Sequence, residues 1–100
     1  MKWTVNYLES VKHDLKALGK ANARRVLKVI DDRIKNGEPH KSGKALRGDL
    51  AGCRRIRTGD MRIVYQVNED EVTILIIAVG PRKNIYESAT KKAVRKQTQT

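Results

Sequence analysis

The sequence has few of the residues that build disulfide scaffolds, zinc centres and base-stacking surfaces. Cys53 is the one cysteine among 100 residues, so an internal disulfide is impossible and no second thiol is available to hold a metal. Aromatic residues amount to 4%, which argues against a sheet that stacks RNA bases. The longest unbroken apolar run, residues 74–79, is far too short for a transmembrane helix. We therefore expect a soluble, cytoplasmic protein that does not associate with membranes.

Acidic residues are outnumbered two to one by basic residues. The chain has 22 lysines and arginines against 11 aspartates and glutamates, which gives a formal net charge of +11. A positive charge of this size indicates a polyanionic partner. Hydrophobic residues make up 39% of the chain and recur periodically, which excludes a disordered basic tail. The length suits one domain, which we assign to residues 1–100.

Two amphipathic helices are predicted near the N-terminus. The first has apolar residues at helical spacing, and we expect Ser10 to cap it and Gly19 to end it. The second is expected to begin after a cap at Asn22 and to end at residues 36–37, Asn-Gly. The apolar stripe of this second helix comprises Ala23, Val26, Leu27, Ile30 and Ile34.

Four segments have the pattern of β-strands. In the first, Trp3, Val5 and Tyr7 alternate with polar residues, as in a half-buried strand. The other three are Cys53 to Arg57, Met61 to Asn68 and Val72 to Val79. The last of these is apolar at nearly every position, which is typical of a central strand covered on both faces. The preceding segment, Glu38 to Leu50, is rich in turn-forming residues and is predicted to be a surface loop.

A final helix is predicted from Tyr86 to Lys96, with a weak apolar stripe. The order of the elements predicts an α+β protein. We expect a small antiparallel sheet with the two N-terminal helices packed on one face and a short C-terminal helix. The other face of the sheet is then available for function.

Basic residues concentrate between residues 41 and 62, where seven lysines and arginines stand against two aspartates. Because strand residues alternate between faces, Arg55 and Arg57 share a face that Arg62 of the next strand can join. Arg54 points to the opposite face. A solvated polar face is the ordinary explanation of such a charge run. A cluster made of arginines, with few acids nearby, instead favours an anion-binding site, because the guanidinium group suits bidentate phosphate contact.

Other kinds of chemistry find little support in the sequence. His13 and His40 are placed away from the arginine-rich strands, and none of the serines has the context of a catalytic triad. The spacing typical of metal ligands and the glycine-rich loop typical of phosphate binding are both missing. We therefore expect no metal and no cofactor, and we interpret Trp3 and Tyr65 as core residues.

The stretch from Leu46 to Tyr65, LRGDLAGCRRIRTGDMRIVY, is followed by an apolar strand, by Gly-Pro-Arg at residues 80–82 and by Tyr86. Over essentially the whole chain this pattern resembles the RelE branch of the RelE/ParE toxin superfamily. The resemblance implies a metal-independent endoribonuclease toxin of a type II toxin–antitoxin system, which cleaves mRNA in the A site and so inhibits translation. It also implies that the ribosome and its rRNA are partners, and that a RelB-like antitoxin neutralises the toxin.

The resemblance also assigns residues. Arg55, Arg57, Arg62 and Arg82 match the family's basic catalytic positions, and Tyr86 matches its tyrosine. We favour Tyr86 as the general base, because surrounding positive charge favours tyrosinate whereas arginine is a poor proton acceptor. Further contacts to RNA are expected from Lys41, Lys44, Arg47, Arg54 and Lys83.

Three positions depart from the family pattern, since many relatives have aromatic residues where Arg54 and Met61 stand and histidine where Pro81 stands. Two alternatives stay open. The first is a ParE-like toxin that inhibits DNA gyrase by protein contact, without nuclease activity. The second is a nucleic-acid-binding protein that uses the same basic face for phosphates without cleaving them.

Overall fold

The computed structural model describes residues 3–81, where the predicted strands and helices occur in the expected order and a two-residue strand and a 3-10 turn are added within the segment predicted to be a loop. The elements are β1 (Thr4–Tyr7), α1 (Glu9–Leu18), α2 (Lys20–Val29) with a π-helical continuation (Ile30–Lys35), β2 (Lys44–Ala45), a 3-10 turn (Gly48–Leu50), β3 (Cys53–Thr58), β4 (Met61–Asn68) and β5 (Thr73–Pro81). The predicted C-terminal helix, Tyr86 to Lys96, lies outside the described residues. Within residues 3–81, no helix is both long enough and apolar enough to cross a membrane.

The five strands form one sheet in the order β1-β5-β4-β3-β2. The α+β class is confirmed, with two helices and antiparallel pairing from β2 to β5. β1 is the exception, because it pairs with β5 in parallel. The sheet is therefore mixed rather than wholly antiparallel. No hairpin joins β1 to β5, so the direction of β1 is set by the chain path through both helices rather than by a turn.

The two faces of the sheet carry separate apolar clusters. The face covered by the helices, which we call the helix face, belongs to the larger cluster. That cluster includes Val11, Val26, Ile30 and Ile34 from the helical segments and Ile56, Ile63, Tyr65, Ile74 and Ile76 from the strands. The opposite face, which we call the second face, has a smaller cluster of Leu50, Cys53, Val64, Ile77 and Ala78. The expectation of a central strand with apolar residues on both faces is confirmed for β5.

A β-bulge interrupts the pairing of β4 with β5 between Val64 and Tyr65. Ile77 is the extra residue on β5, and its side chain joins the cluster on the second face. One extra residue shifts the alternation of a strand by one position. As a result, the end of β5 comes into register with Gly80 opposite Arg62.

The two predicted helix caps are wrong. α1 begins at Glu9, so Ser10 lies inside the helix, and no side chain caps that end. Gly19 ends α1 as predicted, with φ of 85°, a backbone conformation that favours glycine. α2 begins at the very next residue, so Gly19 is its N-cap and Asn22 falls within its first turn. The side-chain amide of Asn22 instead donates to the carbonyl oxygen of Leu18, at the end of α1, at 3.2 Å.

The end of the second helical segment is confirmed, since helical structure stops at Lys35, just before Asn36 and Gly37. The predicted apolar stripe holds for Val26, which is buried, but Leu27 is 41% exposed. Leu27 lies one position around the helix from Val26, and this difference of about 100° places it at the margin of the stripe.

Hydrogen bonds from two side chains on the helix face, Tyr65 and Arg54, hold the segment that was predicted to be a loop. The Tyr65 hydroxyl lies 2.9 Å from the carbonyl oxygen of Pro39 and 3.1 Å from that of Ser42, to which it donates. Arg54 donates from Nε to the Ser42 carbonyl at 2.7 Å and from its guanidinium to the Gly43 carbonyl at 3.4 Å. These bonds hold the end of the loop beside β3, where the short strand β2 forms.

Candidate active site

A two-residue turn, Gly59-Asp60, sets the register of the β3–β4 hairpin. Gly59 has φ of 60°, which a turn of this length requires and which glycine adopts without strain. The resulting register pairs Arg57 directly with Arg62. Residues that are directly opposite on neighbouring strands have their Cβ atoms about 5 Å apart and project from the same face of the sheet. The hairpin therefore holds two guanidinium-bearing residues side by side.

This pair and two further basic residues lie together on the second face. Arg55 lies two residues from Arg57 on β3, and Lys44 of β2 is the cross-strand partner of Arg55. Strand alternation therefore predicted the common face of the three arginines correctly, and the structure adds Lys44 to it. We call Lys44, Arg55, Arg57 and Arg62 the basic group.

Arg62 is the most enclosed member of the basic group. Its exposed fraction is 5%, whereas Arg57 is exposed. Gly80 of β5 stands beside it without a side chain, and its Nε–H finds no hydrogen-bond partner among residues 3–81. Burying a charge without full hydrogen bonding costs free energy, which an anion bound at the guanidinium recovers. The arrangement therefore suits an anion held between a buried arginine and an exposed one.

The structure separates the other predicted RNA-binding residues from one another. Lys44 lies beside Arg55, as described above. Arg54 lies on the helix face and uses its guanidinium to hold the loop. Lys41 and Arg47 are exposed, the first in the loop and the second just before the 3-10 turn. Arg82, Lys83 and Tyr86 lie outside the described residues.

Gly43 is important for the geometry of the site, and no sequence pattern singled it out. It has φ of 67°, and a Cβ at this position would lie 2.1 Å from the carbonyl oxygen of Arg55. The backbone of β3 therefore tolerates only glycine here. This close approach lets the chain run alongside β3 and brings Lys44 opposite Arg55. The glycine itself, within a segment rich in turn-forming residues, was the one available signal.

Burial disfavours the ionised form of two further reactive groups, Cys53 beside the basic group on the second face and Tyr65 on the helix face. Burial raises the pKa of the Cys53 thiol, which disfavours the nucleophilic thiolate. Burial also raises the pKa of the Tyr65 phenol, although the charge and hydrogen bond of Arg54 oppose this shift. In the described part of the chain, no three histidine, cysteine or acidic residues come together in a way that could hold a metal ion. The described site thus offers guanidinium and ammonium donors.

Comparison with known proteins places these features in a family. Residues 5–86 match the model of the ParE toxin of the type II toxin–antitoxin system parDE. Toxin RelG of Mycobacterium tuberculosis is 30% identical over 86 residues, which cover 86% of this chain and 98% of that protein. Toxin RelE of the same organism is 33% identical over 73 residues, covering 73% of this chain and 74% of that protein.

Solved structures agree with this placement. The toxin–antitoxin complex RelBE2 of Mycobacterium tuberculosis aligns with a TM-score of 0.75 at 28% identity, covering 82% of this chain and 93% of that one. The archaeal RelE–RelB complex of Pyrococcus horikoshii aligns with a TM-score of 0.64 at 31% identity, covering 83% and 98%. A variant of Escherichia coli RelE in the free state shares the fold, with a TM-score of 0.76 at 22% identity over 96% and 98% of the two chains. The chain belongs to the RelE/ParE family of toxins from type II toxin–antitoxin systems.

Proposed function

We propose that this toxin is a ribosome-dependent endonuclease that cleaves mRNA in the A site and binds the scissile phosphate on its basic group. The pairing of Arg57 with a buried Arg62 is the observation that carries the proposal. Donors fixed by a hairpin need little rearrangement when charge develops on a phosphate, which is the main requirement for electrostatic catalysis. Similarity to toxins named RelE and RelG supports the same activity.

In the proposed reaction, the 2′-oxygen of the RNA forms a bond to the adjacent phosphorus as the bond from phosphorus to the 5′-oxygen breaks. The products are a 2′,3′-cyclic phosphate and a 5′-hydroxyl. Arg57 and Arg62 stabilise the charge on the pentacoordinate phosphorane, with Arg55 beside them. Arg82, which directly follows the end of β5, is proposed to add a further cation. Guanidinium groups thereby supply the positive charge that a metal ion would otherwise provide.

Two proton transfers accompany this reaction. Arginine remains protonated at any physiological pH and is a poor proton acceptor, so none of the basic group serves as the base. We assign that role to Tyr86, which takes the proton of the 2′-hydroxyl as the new bond forms. The departing 5′-oxygen takes up a proton from solvent.

A RelB-type antitoxin is the proposed partner that silences the toxin. Relatives of this chain have been crystallised as RelBE complexes from Mycobacterium tuberculosis and Pyrococcus horikoshii. The net charge of +11 favours an acidic segment in such a partner and also favours docking on ribosomal RNA.

A ParE-like activity, in which the toxin inhibits DNA gyrase by protein contact, is the alternative. The match of residues 5–86 to the ParE model favours it. This activity requires no phosphate-binding site, so it leaves the buried position of Arg62 without a role. The two activities are therefore separable by experiment.

The test uses ribosomes translating a defined mRNA, with a gyrase supercoiling assay run in parallel. We expect cuts at A-site codons, mapped by primer extension, and none in the same mRNA without ribosomes. The new 5′ ends should accept phosphate from polynucleotide kinase directly, because they carry hydroxyl groups. Loss of supercoiling without RNA cleavage would establish the ParE-like alternative. Salt-sensitive RNA binding with neither activity would identify a binding protein.

A further inference from the structure

The basic group consists of two pairs of cations that lie one step apart along β3. Arg57 and Arg62 form one pair as cross-strand partners, and Lys44 and Arg55 form the other. Arg55 and Arg57 are two residues apart, a separation of about 7 Å along an extended strand. The two phosphorus atoms of a nucleoside 3′,5′-bisphosphate are a similar distance apart, because they flank one ribose. The spacing of the pairs therefore matches two phosphates joined by one nucleoside.

Tertiary contacts hold Lys44 in this arrangement, although β2 has only two residues. Gly43 lets the backbone approach β3, and the Arg54 Nε–H donates to the carbonyl oxygen of Ser42 at 2.7 Å. Lys44 is exposed and forms no salt bridge with any residue in the part of the chain that the structure describes. Its ammonium group is therefore positioned beside Arg55 and is accessible to a ligand.

The positive charge of the basic group exceeds what two RNA phosphodiesters neutralise. Each phosphodiester carries one negative charge, whereas a terminal phosphate monoester carries nearly two at neutral pH. Two monoesters therefore balance the four cations, and two diesters leave half of the charge unbalanced. Arg62 increases this demand, because it is 5% exposed and its Nε–H has no partner among residues 3–81. Before any reaction, the basic group is thus better complemented by two terminal phosphates than by an internal stretch of RNA.

We propose that the basic group binds free nucleoside 3′,5′-bisphosphates, with one phosphate on Arg57 and Arg62 and the other on Lys44 and Arg55. Recognition is through the phosphates, so the identity of the base has little effect on affinity. Such a ligand occupies the cations that bind the scissile phosphate, and it therefore inhibits mRNA cleavage by competition. The inhibition rests on the proposed function, whereas the binding does not.

Isothermal titration calorimetry of the full chain with adenosine 3′,5′-bisphosphate tests the binding, with adenosine 5′-monophosphate and adenosine 5′-diphosphate for comparison. The two phosphates of the diphosphate share a bridging oxygen, so they are too close together to engage both pairs. We expect the 3′,5′-bisphosphate to bind at least about tenfold more tightly than either comparison ligand, because its second phosphate gains charged hydrogen bonds. Uridine 3′,5′-bisphosphate should bind as tightly as the adenosine compound.

Replacing Lys44 separates the two pairs. Lys44→Met should remove most of the advantage of the 3′,5′-bisphosphate and should preserve the affinity for the monophosphate, which needs only Arg57 and Arg62. Lys35→Met, which removes an exposed lysine of the π-helical segment, is the matched control and should leave both affinities unchanged. Equal losses in the two variants would mean that the ligand responds to net charge alone, and this result would overturn the proposal. Equal affinities of the wild type for the 3′,5′-bisphosphate and the diphosphate would also overturn it.

Inhibition is measured separately, as cleavage of mRNA on programmed ribosomes with and without adenosine 3′,5′-bisphosphate. Competition should raise the apparent KM for programmed ribosomes and leave kcat unchanged, and binding without inhibition would contradict it. Selective binding by a chain that does not cleave mRNA would retain the bisphosphate site and reject the nuclease. Cleavage by a chain that binds the three adenosine compounds equally would retain the nuclease and reject the bisphosphate site.

Discussion

Arg57 and Arg62 are direct cross-strand partners, and Arg62 is 5% exposed. Like charges opposed across a strand pair destabilise a sheet, and a buried charge without an ionic partner destabilises it further. No structural advantage offsets this in the described part of the chain, where Arg62 lacks a hydrogen bond at Nε. The fold therefore maintains positive charge at a cost in stability, as sites that bind anions do.

Replacing Arg62 with methionine should stabilise the free protein. Methionine keeps the unbranched chain and removes the buried charge, so Arg62→Met should raise the free energy of unfolding by about 1 kcal/mol. Added phosphate should stabilise the wild type but not this variant, because ligand binding to the native state raises its stability. Urea unfolding with and without phosphate measures both effects. Arg24→Met, at an exposed position of α2, should stay within about 0.5 kcal/mol of wild type.

Arg54 and Arg55 are adjacent in sequence, and replacing each should have opposite consequences. Arg54→Met removes charged hydrogen bonds to two loop carbonyls and should lower the free energy of unfolding by about 2 kcal/mol. The salt dependence of RNA binding should not change. Arg55→Met should preserve the fold and reduce the slope of log affinity against log salt by about one. A reduced slope for Arg54→Met would restore Arg54 as a phosphate contact.

Gly43→Ala should damage the fold more than the same change at Gly48. The two glycines have nearly the same φ, 67° and 65°, so backbone strain contributes about 1 kcal/mol at each. Only at Gly43 does the new Cβ collide with the carbonyl oxygen of Arg55, at 2.1 Å. We expect Gly43→Ala to cost at least about 2 kcal/mol more, measured by thermal or urea unfolding. Equal losses would mean that the loop moves away from β3 without penalty.

The stability of the protein should decline in alkaline solution. A phenol whose pKa is raised in the folded state retains its proton there after the unfolded chain has lost its own. The contribution of this phenol to the free energy of unfolding is complete below the unfolded pKa of about 10, and it disappears as the pH rises through the pKa of the folded state. Burial raises the pKa of Tyr65, so Tyr65→Phe should reduce the slope above pH 10 by up to about 1.4 kcal/mol per pH unit. Some slope should remain, because burial also raises the pKa of Tyr7.

At neutral pH, the same Tyr65→Phe variant should be less stable than wild type by about 1 to 2 kcal/mol, because it loses its bonds to Pro39 and Ser42. Unfolding curves at pH 7 and at intervals from pH 9 to 11 separate the two effects. An unchanged alkaline slope in the variant would show that Tyr65 is not responsible for the decline.

Period-two alternation carried most of the information about the candidate site. It placed Arg55, Arg57 and Arg62 on one face correctly, because a two-residue turn left a single register for the hairpin. Alternation also placed Arg54 on the opposite face correctly. It did not explain why a long cationic side chain is retained there. The reason is a tertiary hydrogen bond from Arg54 to the carbonyl oxygen of Ser42, twelve residues earlier in the chain, and no local sequence pattern encodes such a contact.

The predictions of the fold were wrong where contacts between distant parts of the chain outweighed the local conformational preference of the sequence. Lys44–Ala45 has no strand pattern and forms β2 only because Gly43 permits close approach to β3. Asn22 has the right side chain for a cap, but α2 begins directly after α1, so Gly19 occupies the N-cap position and Asn22 lies inside the helix. The parallel direction of β1 depends on a partner almost seventy residues away, with Thr4 paired to Thr73.

The rate of mRNA cleavage by Arg62→Ala is the decisive measurement of whether the basic group stabilises the scissile phosphate during cleavage. Single-turnover cleavage on saturating programmed ribosomes isolates the chemical step, and circular dichroism verifies that the variant is folded. Removing one fixed donor to a developing negative charge typically lowers the rate by 10² or more, so we expect a loss of about 10²-fold or greater for Arg62→Ala and a wild-type rate for Arg24→Ala. A folded Arg62→Ala protein that cleaves at nearly the wild-type rate would show that Arg62 does not stabilise the developing charge.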